Sequence, residues 1–154
     1  MLSKYLLFSQ GMNTENPHNL PSAAKFNKII ELTVGTVYLY DKVVVVEINE
    51  GVNVSYSSSF SALLLVLRHV GTKPMVYISH RVHSYSLNPT EYKYLHKIPN
   101  LKGIAIVCAS EIGCQNLEIE AAFFKKPFQA FPSLQEAYSW SQGLLNGQDI
   151  TPSV

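Results

Sequence analysis

Val43-Val44-Val45-Val46-Glu47-Ile48 (VVVVEI) places apolar, mostly β-branched side chains on consecutive positions. In a strand successive side chains point to opposite faces, so a run of this kind needs cover on both sides and belongs to the interior of a sheet flanked by helices. Glu47 interrupts the run. A carboxylate there either meets a cationic or hydrogen-bonding partner, for which Arg81 or His80 on a neighbouring strand end is the predicted choice, or is solvated at the sheet end beside Asn49-Glu50-Gly51.

Working back from this strand, Asp41-Lys42 reverses the chain, Thr36 to Tyr40 (TVYLY) is β-rich, and Val34-Gly35 is a turn after strand-like residues from Phe26 to Thr33. Working forward, Phe60, Leu63, Leu64, Leu67 and Val70 recur at helical spacing between the serines Ser57 to Ser59, which can cap, and the stop at Gly71. Met75 to Ser79 (MVYIS) is the next strand, and Asn88-Pro89-Thr90-Glu91 has the cap and N1 proline of a helix running to about Ile98. Ile104 to Ala109 (IAIVCA) is a further buried strand. Ser110 can cap a helix whose apolar face is Cys114, Leu117, Ala121 and Phe124, and Lys125-Lys126-Pro127 ends it. Phe128 to Phe131 is a short strand, and Ser133-Leu134-Gln135-Glu136 is a capping box ahead of Ala137, Trp140, Ser141 and Leu144.

The resulting order, β-β-β-α-β-α-β-α-β-α, predicts an α/β fold with a mixed sheet of about six strands and crossover helices. Residues 25–146 form one domain in this reading, residues 1–24 a flexible N-terminal extension and residues 147–154 a C-terminal tail. Met12 is a second candidate start, and whether residues 1–11 are native and ordered stays open at this point.

The 154 residues are 47% hydrophobic and 15% charged, the composition of a globular chain. Twelve Lys and Arg against eleven Asp and Glu leave a formal charge of +1, so the broad field that captures nucleic acid or anionic membrane is absent. No apolar run approaches the ~20 residues that span a bilayer. Cys108 and Cys114 lack the spacing of a zinc site or redox pair and read as two free thiols, which with the lack of a secretory pattern predicts a cytoplasmic protein.

The element order, with Lys125-Lys126-Pro127-Phe128-Gln129-Ala130-Phe131 and Ser133-Leu134-Gln135-Glu136-Ala137-Tyr138-Ser139-Trp140, resembles the STAS/Sec14-type, SpoIIAA-like domains of bacteria. The resemblance covers residues 25 to 146 and implies a regulatory, protein-binding module. In the anti-sigma-factor-antagonist branch a phosphorylatable serine sits in an Asp-Ser-Ser-Gly type turn after a central strand. That place here reads Ser79-His80-Arg81-Val82-His83-Ser84-Tyr85-Ser86-Leu87-Asn88-Pro89, without the acidic residue or the glycine. Ser84 and Ser86 are therefore the candidates for phosphorylation.

The same segment is the leading candidate binding site on its own chemistry, because open α/β sheets place ligands at the carboxyl ends of their strands. Arg81 can hold a carboxylate or phosphate with two donors, His80 and His83 titrate near neutral pH, and Ser84, Tyr85 and Ser86 supply hydroxyls. The bland alternative has Arg81 paired with a protein carboxylate, the histidines on backbone groups and Tyr85 packed on its loop. His80, His83 and His96 have no acidic residue or cysteine beside them in sequence, so no metal site and no cofactor is expected. With no nucleotide loop, nucleophile elbow or zinc-protease motif, the expectation is a non-enzymatic module. It would meet a protein partner or a second copy of itself through residues 79–89. A carrier of a small apolar or anionic ligand, with a slot under the helix that follows VVVVEI, is the alternative, and an acid/base enzyme built on Glu47 with His80 or His83 ranks third.

Overall fold

The computed structural model describes residues 6–8, 17–21, 24–108, 114 and 116–147, with backbone alone for residues 6–8 and 56–61. Strands β1 (Leu6–Phe8), β2 (Lys28–Glu31), β3 (Gly35–Tyr40) and β4 (Val43–Ile48) pair antiparallel in succession. Three crossovers then add β6 (Met75–Arg81), β8 (Leu101–Cys108) and β9 (Phe128–Phe131), each parallel to its neighbour. The mixed sheet has the order β1-β2-β3-β4-β6-β8-β9, and β5 (Asn53–Val54) and β7 (Ser86–Leu87) form a separate parallel pair. The α/β architecture matches expectation, with one more strand than the six foreseen because Leu6–Phe8 continues the sheet at its antiparallel edge.

VVVVEI behaves as its composition demands. Val44 packs into the core on one face with α1 (Tyr56–Val70), while Val43 and Val45 pack into the core on the other with α4 (Leu134–Leu145). Full burial of a valine is worth about 1.5 kcal/mol or more over exposure, so a strand with valines on both faces is stable only inside two helical layers. The first face also carries Tyr92, which opens α2 (Tyr92–His96), and Phe124 just past α3 (Leu117–Ala122).

Helix starts follow local chemistry. Ser133 Oγ accepts from the Glu136 backbone N–H at 3.2 Å, and Asn88 Oδ1 accepts from that of Thr90 at 3.1 Å ahead of the 3-10 turn Pro89–Glu91 that leads into α2. Ser57 to Ser59 fall inside α1 and do not precede it, since the helix begins at Tyr56. Their side chains and Ser110 lie outside the described residues.

Two expectations change. Residues 17–21 and 24 are docked: Leu20 and Ala24 are buried in the α4-side core, which explains why a stretch with no period of its own still packs. Cys108 and Cys114 are joined by a disulfide, with Cα atoms 6.0 Å apart, in place of two free thiols. Sequence spacing alone does not reveal that the end of β8 and the chain ahead of α3 approach so closely, and the thiol argument for a reducing compartment lapses with it.

Candidate functional site

Ser79, His80 and Arg81 end β6, and strand alternation sends them to opposite faces of the sheet. Ser79 and Arg81 turn toward α2 and α3; His80 turns toward the face that α4 covers. Arg81 and Glu47, proposed partners from the sequence, are thereby kept apart, and each finds another partner.

Arg81 forms a two-point ion pair with Glu120 of α3, Nη1 to Oε2 at 3.1 Å and Nη2 to Oε1 at 2.5 Å. The Tyr92 hydroxyl donates to Glu120 Oε1 at 2.9 Å and accepts from Arg81 Nη2 at 3.3 Å. Ser79 Oγ lies 3.0 Å from the Tyr85 hydroxyl, and the guanidinium carbon sits 5.8 Å from the centre of the Tyr85 ring. Burial opposes the charge on Arg81, but the hydrogen bonds and charge of Glu120 outweigh it and raise the guanidinium pKa further. The bland reading of Arg81 thus describes its contacts: its fork is filled by a carboxylate of the protein itself. Sequence reasoning missed Glu120, although the signal was present. It stands three residues after Leu117, on the stripe that points inward.

On the opposite face, Glu47 Oε2 receives His80 Nδ1 and His18 Nε2, both at 2.7 Å. His18 Nδ1 lies 2.6 Å from the Tyr40 hydroxyl, and the Tyr38 ring meets the His18 ring edge-on at 4.2 Å. Burial works against ionising Glu47, yet the hydrogen bonds and charges of the two imidazoles outweigh it and hold its carboxyl down at about 2. The predicted Glu47–His80 contact is present, and the solvated reading of Glu47 is not. His83 does not join it; it lies 3.9 Å from Glu50 at the surface. The expectation that no acidic residue completes a ligand set near His80 is corrected: strand pairing of β4 with β6 brings Glu47 beside it, and His18 arrives from residues 17–21. Nothing in the sequence around His18 marks it for this position.

The loop after β6 is at the rim. Val82, His83, Ser84 and Ser86 are exposed, the Ser84 N–H donates to Glu50 Oε2 at 2.9 Å, and Ser86 Oγ donates to Asn53 Oδ1 at 3.1 Å. Tyr85 and Leu87 of the same loop turn inward and line a cavity of about 150 Å³ between α1, α2 and the sheet. Val44, Val46, Val66 and Leu95 are among the apolar residues of its wall, and Ser79, Tyr77 and Tyr92 also line it. Glu91 also lines it, and its Oε2 is buried with no hydrogen-bond partner among the described residues.

Burial pushes the Tyr38 hydroxyl up, and the Glu47 charge adds to this, to about 12. Burial likewise raises Tyr77 and Tyr92, the latter with help from Glu120. Since these folded values exceed the ordinary tyrosine value of about 10, the stability they contribute is complete below that pH and is lost as pH rises from there toward each folded value. An ultraviolet titration should therefore find Tyr38 ionising near pH 12 and Tyr77 and Tyr92 silent until the chain unfolds. Simultaneous ionisation of all nine tyrosines near pH 10 in the folded protein would contradict this burial.

Among known proteins, no family model matches the chain, and no curated protein matches it. One solved structure is similar, an uncharacterised protein of the DUF3478 family with a SpoIIAA-like fold from Shewanella loihica PV-4. It is 13% identical, the alignment covers 85% of this chain and 99% of that one, and the TM-score is 0.46. No helix among the described residues is long and apolar enough to cross a membrane.

Proposed function

We propose that this protein is a binding module, without catalysis of its own, whose cavity beneath α1 takes a compact apolar molecule bearing one hydrogen-bond donor. The observation that carries this reading is an apolar chamber lined in part by Glu91, whose Oε2 is buried and has no hydrogen-bond partner among the described residues. A buried acceptor without a partner costs roughly 1–3 kcal/mol, which a donor on the ligand recovers.

Size decides the ligand class. A chamber of about 150 Å³ matches one that holds a benzene-sized guest and is below the roughly 300–1,000 Å³ of drug-sized sites. A long acyl chain of the Sec14 kind does not fit, whereas a single ring with an amine or hydroxyl does. Tyr85 and Leu87 tie the chamber to the exposed residues Val82, His83, Ser84 and Ser86. Occupancy would thus be felt at the rim where a protein partner could read it, which accommodates the regulatory role that the sequence suggested.

The test is a thermal-shift and calorimetric comparison of benzene, phenol and benzylamine. Phenol or benzylamine should stabilise the protein more than benzene does. Val66→Phe, which fills the chamber, should abolish the shift while the protein stays folded, and Glu91→Gln should narrow the preference for donors. Lack of stabilisation by any of the three, or equal shifts in Val66→Phe, refutes the reading.

A further inference from the structure

We infer that His18, Glu47 and His80 form a binding site for a borderline divalent transition-metal ion of the zinc class, with two imidazole nitrogens and one carboxylate oxygen as ligands. The three ligating atoms lie within 4.8 Å of one another and come from three separate parts of the chain, residues 17–21, β4 and β6. A tetrahedral ion with bonds of about 2.0–2.2 Å needs donor atoms roughly 3.3 Å apart. The two contacts of 2.7 Å to Glu47 Oε2 need to open by about 0.6–0.9 Å, and the two imidazole nitrogens, no more than 4.8 Å apart, need to settle at the same spacing, within the reach of side-chain rotations.

The surroundings have the features of a supported site. His18 Nδ1 is engaged by the Tyr40 hydroxyl at 2.6 Å, which orients the ring and, with Nδ1 as donor, leaves the Nε2 lone pair for an ion. The His18 carbonyl accepts from Gln135 Nε2 of α4 at 3.3 Å, fixing the segment against the helix. Tyr38 closes one side of the His18 ring. Glu47 and His80 keep about a fifth of their side-chain surface exposed, at 17% and 21%, so an ion can enter and an open coordination position can face solvent.

The donor set also chooses the ion. Calcium and magnesium seek six or more oxygen ligands, while two imidazoles and a carboxylate suit zinc, cobalt or ferrous iron. The rival arrangement is a hydrogen-bonded triad alone, in which Tyr40 donates to His18 Nδ1 and both imidazoles donate to Glu47. It predicts no specific ion binding.

The full-length chain, treated with a chelator and dialysed, is titrated with Zn²⁺ against a chromogenic competitor and with Co²⁺ as a spectroscopic probe. One Zn²⁺ should bind per chain, and Co²⁺ should give the visible absorption of a four- or five-coordinate nitrogen and oxygen site. His18→Ala and His80→Gln should each weaken Zn²⁺ by more than about 100-fold, beyond the loss of an outer partner, and Tyr40→Phe by about 10- to 100-fold. His83→Ala and the cavity-filling Val66→Phe should leave affinity unchanged, which separates this site from the chamber on the other face. Should His18→Ala unfold, as judged by circular dichroism, the more exposed His80→Gln decides. No binding below millimolar Zn²⁺, or unaltered affinity in His80→Gln, overturns the proposal.

Discussion

Replacing Glu120 with alanine is expected to destabilise the protein by about 3–5 kcal/mol, the range for removing one partner of a buried ion pair. Glu120 is 3% exposed and the Arg81 side chain 9%, so water cannot take over the lost contacts. The guanidinium would remain in place with its charge, and the Tyr92 hydroxyl would lose its acceptor. Arg81→Ala should cost a similar amount by leaving the carboxylate behind. The double substitution Arg81→Met with Glu120→Leu should recover most of the loss, because it removes both charges and keeps apolar volume. Urea denaturation of the three variants measures this. A cost below about 1 kcal/mol for Glu120→Ala would mean that the pair is screened as surface pairs are.

Gly35→Ala is the second large effect, expected at about 3 kcal/mol, the upper end for overpacking. A Cβ at Gly35 would overlap the Glu47 carbonyl oxygen and stand 2.9 Å from the Ile48 Cα. Both are backbone atoms of the paired strand β4, and no rotamer change relieves the overlap. The strands must part at this end, which displaces Glu47 from His18 and His80. Thermal unfolding should show the loss of stability, and Zn²⁺ affinity should fall in the same variant. Unchanged unfolding would mean that β3 and β4 do not approach so closely at Gly35.

VVVVEI identified an interior strand because its apolar, β-branched residues run on consecutive positions and so need cover on both faces, and the parallel half of the sheet followed from strands alternating with helical spacing. Elements lacking a period were harder to read. β5 and β7 have two residues each, too few to carry a pattern, and Leu20 and Ala24 pack from a stretch whose sequence looks like a tail. For Glu47 the sequence left open Arg81, His80 or solvation; the structure has it against His80 and has Arg81 against Glu120, a separation that follows from period two, since neighbouring residues of one strand face opposite sides. Glu120 was legible as a carboxylate on an inward stripe. His18 was not, since it reaches Glu47 across a sequence separation of 29 from a stretch with no pattern of its own. The cavity of about 150 Å³ lies between α1, α2 and the sheet, and its size is a property of packing that composition does not encode.

The alternation at the end of β6 fixes how this protein can change over time. Ser79 and Arg81 serve the chamber side and His80 the opposite side, with one residue of chain between assignments. Substitutions within β6 leave that division intact, whereas gaining or losing a single codon between Met75 and His80 would invert it and deliver imidazole and guanidinium to the wrong neighbours. Length variation among homologues should accordingly collect in residues 82–88 and spare the strand.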